Sequence, residues 1–149
     1  LVQANLDDER GVPASHLSLF DEFAAAVGAP PAADAGPATG ALVGCYRRGA
    51  ADGAVAVLAM IAAYEVQAPG IATSKAEGLR LRYGLDTTQT RFWDVHGRMD
   101  ADHGDWTLDA LAAVADDEPT VRAAAGAAAD AWWAFLDERQ EAAGLPAAC

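Results

Sequence analysis

Basic residues are scarce in this chain: ten Lys and Arg stand against 22 Asp and Glu, a formal net charge of −12 over 149 residues. Without a segregated basic patch, such a surface repels nucleic acid and anionic membranes, so neither is an expected partner. Cysteine is nearly absent. Cys45 and Cys149 are too few for a disulfide scaffold or a cysteine zinc site, and a reduced, cytoplasmic setting is the expectation. No run of about 18 uncharged apolar residues occurs, so no transmembrane segment is expected. The first residues, LVQANLDDERG, have neither an initiator Met nor the basic-then-apolar pattern of a signal peptide. No alternating apolar–polar stretch longer than four residues marks a strand. Histidine is rare too, at three residues, so the placement of each one carries weight.

What is present reads as helix. The chain is 52% apolar, enough for a real core in one domain of this size. Residues 5–28 form a helix interrupted at Gly11 and Pro13. Pro13 suits the first turn of the second piece, whose apolar positions 17, 20, 23 and 27 recur at helical spacing and which Gly28 closes. Residues 29–40, rich in Pro, Gly and Ala, read as loop. Helices follow over 50–67, halted near Pro69, and over 71–83, closed by Gly84. Asp86 offers an N-cap for a helix running through the following motif, TLDALAAVADD reads as a shorter separate helix, and Pro119 opens the last one. The expected class is an all-α bundle, a single domain over residues 1–149.

FWDVHGRMDADHGDW, residues 92–106, holds His96, Asp100 and His103 at offsets of four and seven. At about 100° per residue these fall on one stripe of a helix. Two imidazoles and a carboxylate suit iron and leave coordination positions open. The same pattern also fits an acidic helix whose histidines are satisfied surface groups. Glu65 ends a helix with an otherwise apolar face (Val55, Leu58, Met60, Ile61), where it needs a cation or has already reached solvent. Glu9 precedes His16, the remaining histidine, by seven residues across the break. That pair is either a further carboxylate–imidazole group or a helix terminus followed by a capped histidine. Tyr64, Gln67, Arg91 and Asp94 are candidates for orienting such a site.

These residues resemble the heme-oxygenase-like oxidases and oxygenases, related in fold to pyrroloquinoline-quinone synthase and the thiaminase-type TenA proteins. Members carry a glutamate and histidine on an early core helix, a Tyr-Glu pair before Gln-x-Pro, then His-x3-Asp-x2-His. This chain has NLDDERG followed by a histidine, then YEVQAPG, then FWDVHGRMDADH, in that order. The resemblance implies that Glu9, His16, Glu65, His96, Asp100 and His103 are the ligands of a non-heme di-iron centre. It implies two Fe(II), or a mixed Mn/Fe pair, with dioxygen as co-substrate. The activity implied is oxidation of a small metabolite, foremost an amino acid or amine, with a fatty acid as the alternative. The cofactor-free relatives do not keep the full six-residue set.

Around Glu65 the chain looks most similar to the para-aminobenzoate-forming branch, one member of which is named for association with death domains. That branch carries a lysine ten residues after the glutamate, implicated as an amino-group source, and Lys75 stands at the matching position. By itself Lys75 reads equally as a solvated helix lysine. Family members carry further helices before the NLxDE segment, so the bundle here is expected to be N-terminally incomplete. A metal-free enzyme of the TenA or quinone-synthase kind and a bundle that only binds a partner are the competing outcomes. The tryptophans (Trp93, Trp106, Trp132 and Trp133) read as packing residues. In WWAFL one of the adjacent pair must leave the stripe of the other, which could mark a homodimer surface.

Overall fold

Caps written into the sequence set most helix boundaries. The computed structural model describes residues 2–11, 14–30 and 34–145, the side chains of Val2 and Asp100 excepted. Among these residues there are seven helices and no strand: α1 (Val2–Arg10), α2 (His16–Ala26), α3 (Pro37–Asp52), α4 (Ala54–Glu65), α5 (Ala68–Tyr83), α6 (Arg91–Val114) and α7 (Glu118–Ala142). The chain is all-α, as its patterning requires. Ser15 starts α2 by accepting the Ser18 amide at 3.2 Å. Asp117 starts α7 through the Thr120 amide at 3.0 Å, with Pro119 in the first turn. Gly84 ends α5 at φ 71°, a left-handed conformation that glycine adopts without a Cβ penalty. The expected role of Pro13 lies outside the described residues.

Several boundaries differ from the sequence reading: α5 begins at Ala68, before position 71, α6 begins only at Arg91, and three larger differences follow. The loop expected over 29–40 ends early, because Pro37 sits in the first turn of α3 and starts a helix instead of breaking one. The helix expected over 50–67 is divided by Gly53, at φ 123°, into the end of α3 and all of α4. TLDALAAV is not a separate helix but the last turns of α6. Asp86 caps the turn that leads into α6. Its Oδ1 accepts the Thr88 and Gln89 amides while Gln89 Oε1 accepts the Asp86 amide, a reciprocal capping box.

Two compact units divide these helices: Leu1–Ala32 with Glu65–Ala110, and Ala33–Tyr64 with Leu111–Cys149. In the second unit, Leu42, Cys45 and Gly49 of α3 are buried along with Ala124 and Ala128 of α7. The Cys45 thiol donates to the Ala127 carbonyl at 3.6 Å. Tyr46 donates to the Met60 carbonyl and accepts from the Trp132 indole, whose ring stacks on Tyr64 at 4.7 Å. Trp133 is 66% exposed, so the adjacent tryptophans do part company. In the first unit, Ala72 and Ala76 of α5 are buried, and Gly97 of α6 lies where a Cβ would crowd Thr73. Ala54–Tyr83, which covers α4 and α5, is long and apolar enough by composition to cross a membrane, where the sequence reading expects no such segment; 33% of its most apolar part is buried in the fold.

Candidate metal centre

Every sequence-identified carboxylate and imidazole that the structure describes falls in the first unit. α1 carries Asn5, Asp8 and Glu9, whose offsets of three and four from Asn5 place them on one side of the helix. His16 is the first residue of α2, fixed there by the Ser15 cap. α6 carries His96 and His103.

Three of these residues meet. One ligand atom each from Glu9, His16 and His96 lies within 4.8 Å of the other two. The His16 ring stands 4.4 Å from that of His96 and 6.4 Å from that of His103, centroid to centroid. His16 and His103 are 5% and 1% exposed, whereas the Glu9 side chain is 44% exposed. Glu9 Oε1 lies 3.0 Å from His16 Nδ1 and 4.0 Å from His103 Nδ1. The shorter of these contacts is not aligned as a hydrogen bond, and His16 Nδ1 is buried with no hydrogen-bond partner. A neutral imidazole nitrogen and a carboxylate oxygen directed at one space both offer lone pairs, which a shared cation would satisfy. The donor set present therefore fits a metal ion.

Neighbouring groups set which ring nitrogens are available. The Phe92 carbonyl lies 2.8 Å from His96 Nδ1. A carbonyl only accepts, so Nδ1 carries the proton and Nε2 keeps the lone pair that a metal requires. His103 Nε2 lies 3.2 Å from Asp8 Oδ2. Asp8 was not among the residues singled out by sequence.

Glu65 is not in the three-residue cluster. Asn5 Nδ2 donates to its Oε1 at 2.9 Å, and the Thr107 hydroxyl donates to Oε2. Asn5 precedes Glu9 by one turn of α1 and Thr107 follows His103 by one turn of α6, a rise of ~6 Å in each helix. Thr107 also extends the 96–100–103 stripe by four residues, a periodic signal through which the sequence could have revealed it. Asp100 lies on α6 between the two histidines, and its side chain is outside the described residues.

Lys75 is not in the three-residue cluster. Its Nζ sits 4.4 Å from the centroid of the Trp93 ring, and partial burial lowers its pKa from the ordinary lysine value. Asp94, expected to orient the site, is instead paired with Arg80 and the Thr90 hydroxyl. Tyr64 belongs to the aromatic stack of the second unit, and Gln67 is the residue before α5. Arg91 lines a cavity of about 220 Å³ together with Asp8, His16 and Met99.

Comparison with known proteins places these observations. Residues 1–135 match the model of a family described as iron-containing redox enzymes. The chain is also similar to a 4-aminobenzoate synthase of Nitrosomonas europaea, 37% identical over 145 residues that cover 91% of this chain and 59% of that one. It thus spans about three fifths of the length of that relative. Glu9, His16, His96 and His103 all lie within the matched residues, and the chain belongs to the iron-containing redox enzyme family.

Proposed function

We propose that this chain supplies the iron site of an oxygen-dependent oxidoreductase that acts on a small amine or amino acid. The observation that carries the reading is the convergence of Glu9, His16 and His96, with a buried His16 nitrogen that has no hydrogen-bond partner. Glu9, His16, His96 and His103 would hold iron, with Asp100 and Glu65 completing a set for two ions. Glu65 accepts one hydrogen bond on each oxygen, from Asn5 and Thr107, and retains a lone pair on each with which to ligate. Iron, when bound, supplies the redox chemistry that activates dioxygen.

The chain's own residues perform the remaining work. Phe92 presents His96 through Nε2, and the buried rings of His16 and His103 keep water from their faces of the site. The cavity beside His16 gives a small substrate a place to lie. Arg91 on its wall is a partner for a carboxylate, and Asp7 for an amine. The amine reading also draws on the relative named 4-aminobenzoate synthase and on Lys75, whose partly desolvated amine is more readily neutral than an ordinary lysine.

Anaerobic titration with Fe(II), followed by exposure to oxygen, tests the proposal. Two equivalents bound, with oxygen consumed in proportion to iron, is the expected result. Less than about one equivalent, or oxygen uptake that ignores a chelator, would overturn it and favour a metal-free bundle.

A further inference from the structure

We propose that Asn5 and Thr107 are positioning residues of the candidate iron site, which together fix the Glu65 carboxylate as a ligand. This rests on the metal reading above and goes beyond it, because neither residue belongs to the proposed ligand set. The contacts are direct and come from two helices. Asn5 Nδ2 of α1 donates to Glu65 Oε1 at 2.9 Å, and the Thr107 hydroxyl of α6 donates to Oε2. The terminal torsion of a free glutamate is broad, so a carboxylate with both oxygens tethered is held in one of many orientations. One donor on each oxygen still leaves each a lone pair.

The chemistry of the two donors separates positioning from charge compensation. Among the described residues, no Lys, Arg or His forms an ion pair with Glu65. An amide and a hydroxyl are neutral, so they orient a carboxylate without offsetting its charge. A partly buried carboxylate held in this way still calls for a cation. Thr107 is itself 4% exposed, and the hydrogen bond to Glu65 satisfies its buried hydroxyl. Position along the chain fits the same role. Asn5 stands one turn before Glu9 on α1, and Thr107 one turn after His103 on α6. Glu65, the last residue of α4, is thus tied to two helices that carry other members of the proposed set. Groups that orient a ligand from behind in this way set metal affinity without touching the metal.

The test is a double-mutant cycle on Fe(II) affinity, measured anaerobically. Thr107→Val, which removes the hydroxyl at nearly constant shape, is expected to weaken binding ~10- to 100-fold, as is Asn5→Leu. Thr107→Ser keeps the hydroxyl and is expected to bind as the native chain does. In a Glu65→Ala chain there is no carboxylate to hold, so Thr107→Val and Asn5→Leu are expected to have no further effect. A merely structural role would carry its full loss into that background. Far-UV circular dichroism of each metal-free variant is expected to stay near native. Native affinity in both Thr107→Val and Asn5→Leu would overturn the proposal, as would losses that persist in full in Glu65→Ala. A native chain that binds no iron would instead overturn the metal reading, and this proposal with it.

Discussion

At the scale of single residues, the site depends on a few side chains whose neighbours decide what they can do. His16 is the most exposed to test, because its buried Nδ1 has Glu9 at 3.0 Å and no hydrogen bond. His16→Ala removes one of the three convergent donors, and iron binding is expected to fall at least tenfold while the helical circular dichroism stays near native. Unchanged iron content would separate His16 from the centre. Lys75 offers a second check. Burial against Trp93 disfavours the charged amine, so more of it is neutral at mildly alkaline pH than for a solvent-exposed lysine. Trp93→Ala opens that contact to water and is expected to move the amine back toward ordinary lysine behaviour, as read by pH-dependent reductive methylation. A Lys75 that already titrates like the other amines would contradict the burial argument. Part of this scale was legible beforehand: the rarity of histidine and the 96–100–103 stripe pointed to α6, which brings His96 to Glu9 and His16. Asp8, Asn5 and the Phe92 carbonyl were not legible. A hydrogen-bonded neighbour leaves no periodic trace of its own, and a backbone carbonyl leaves none at all.

At the scale of helices, composition misled where one residue type has two uses. Pro37 lies in a Pro/Gly/Ala-rich stretch and reads as a loop residue, yet a proline in the first turn loses only an amide that had no partner. The true cap of α3 comes from far along the chain. Glu138 Oε2 accepts the Ala38 amide at 2.8 Å and Oε1 accepts the Thr39 hydroxyl at 3.3 Å, contacts that no local pattern reveals. The Ala38 hydrogen bond, aided by Arg139, holds the Glu138 carboxyl below its ordinary pKa. A depressed carboxylate stabilises the fold above the unfolded pKa of about 4.3, and the contribution is lost as pH falls through the lower folded value. Glu138→Gln is therefore expected to flatten the loss of thermal stability below about pH 4.3. If the acid limb of the melting curve is unchanged, Glu138 does not cap α3. Gly49 is the other element-scale contact, since a methyl there would overlap the Met60 sulfur. Gly49→Ala should cost about 1–3 kcal/mol in urea unfolding. No cost would mean that the buried thioether swings aside.

At the scale of the whole molecule, the acidic excess and the all-helical fold form the setting for a cation site. A net charge of −12 raises the local concentration of divalent metal, and Asp7, Asp8 and Glu9 place part of that charge beside the histidines. Fold class followed from helical periodicity and the lack of alternation, and membership of an iron-containing redox family agrees with the residues that first suggested a metal. The substrate was not legible, because this chain spans 59% of its 4-aminobenzoate synthase relative and the cavity beside His16 names only charges. The central claim is that Glu9, His16, His96 and His103 ligate iron. X-ray absorption at the iron edge, on chain loaded anaerobically with Fe(II), tests it most directly. The account predicts outer-shell scattering from at least two imidazoles, reduced in His16→Ala. An iron spectrum with only oxygen neighbours, identical in the native chain and in His16→Ala, would contradict it.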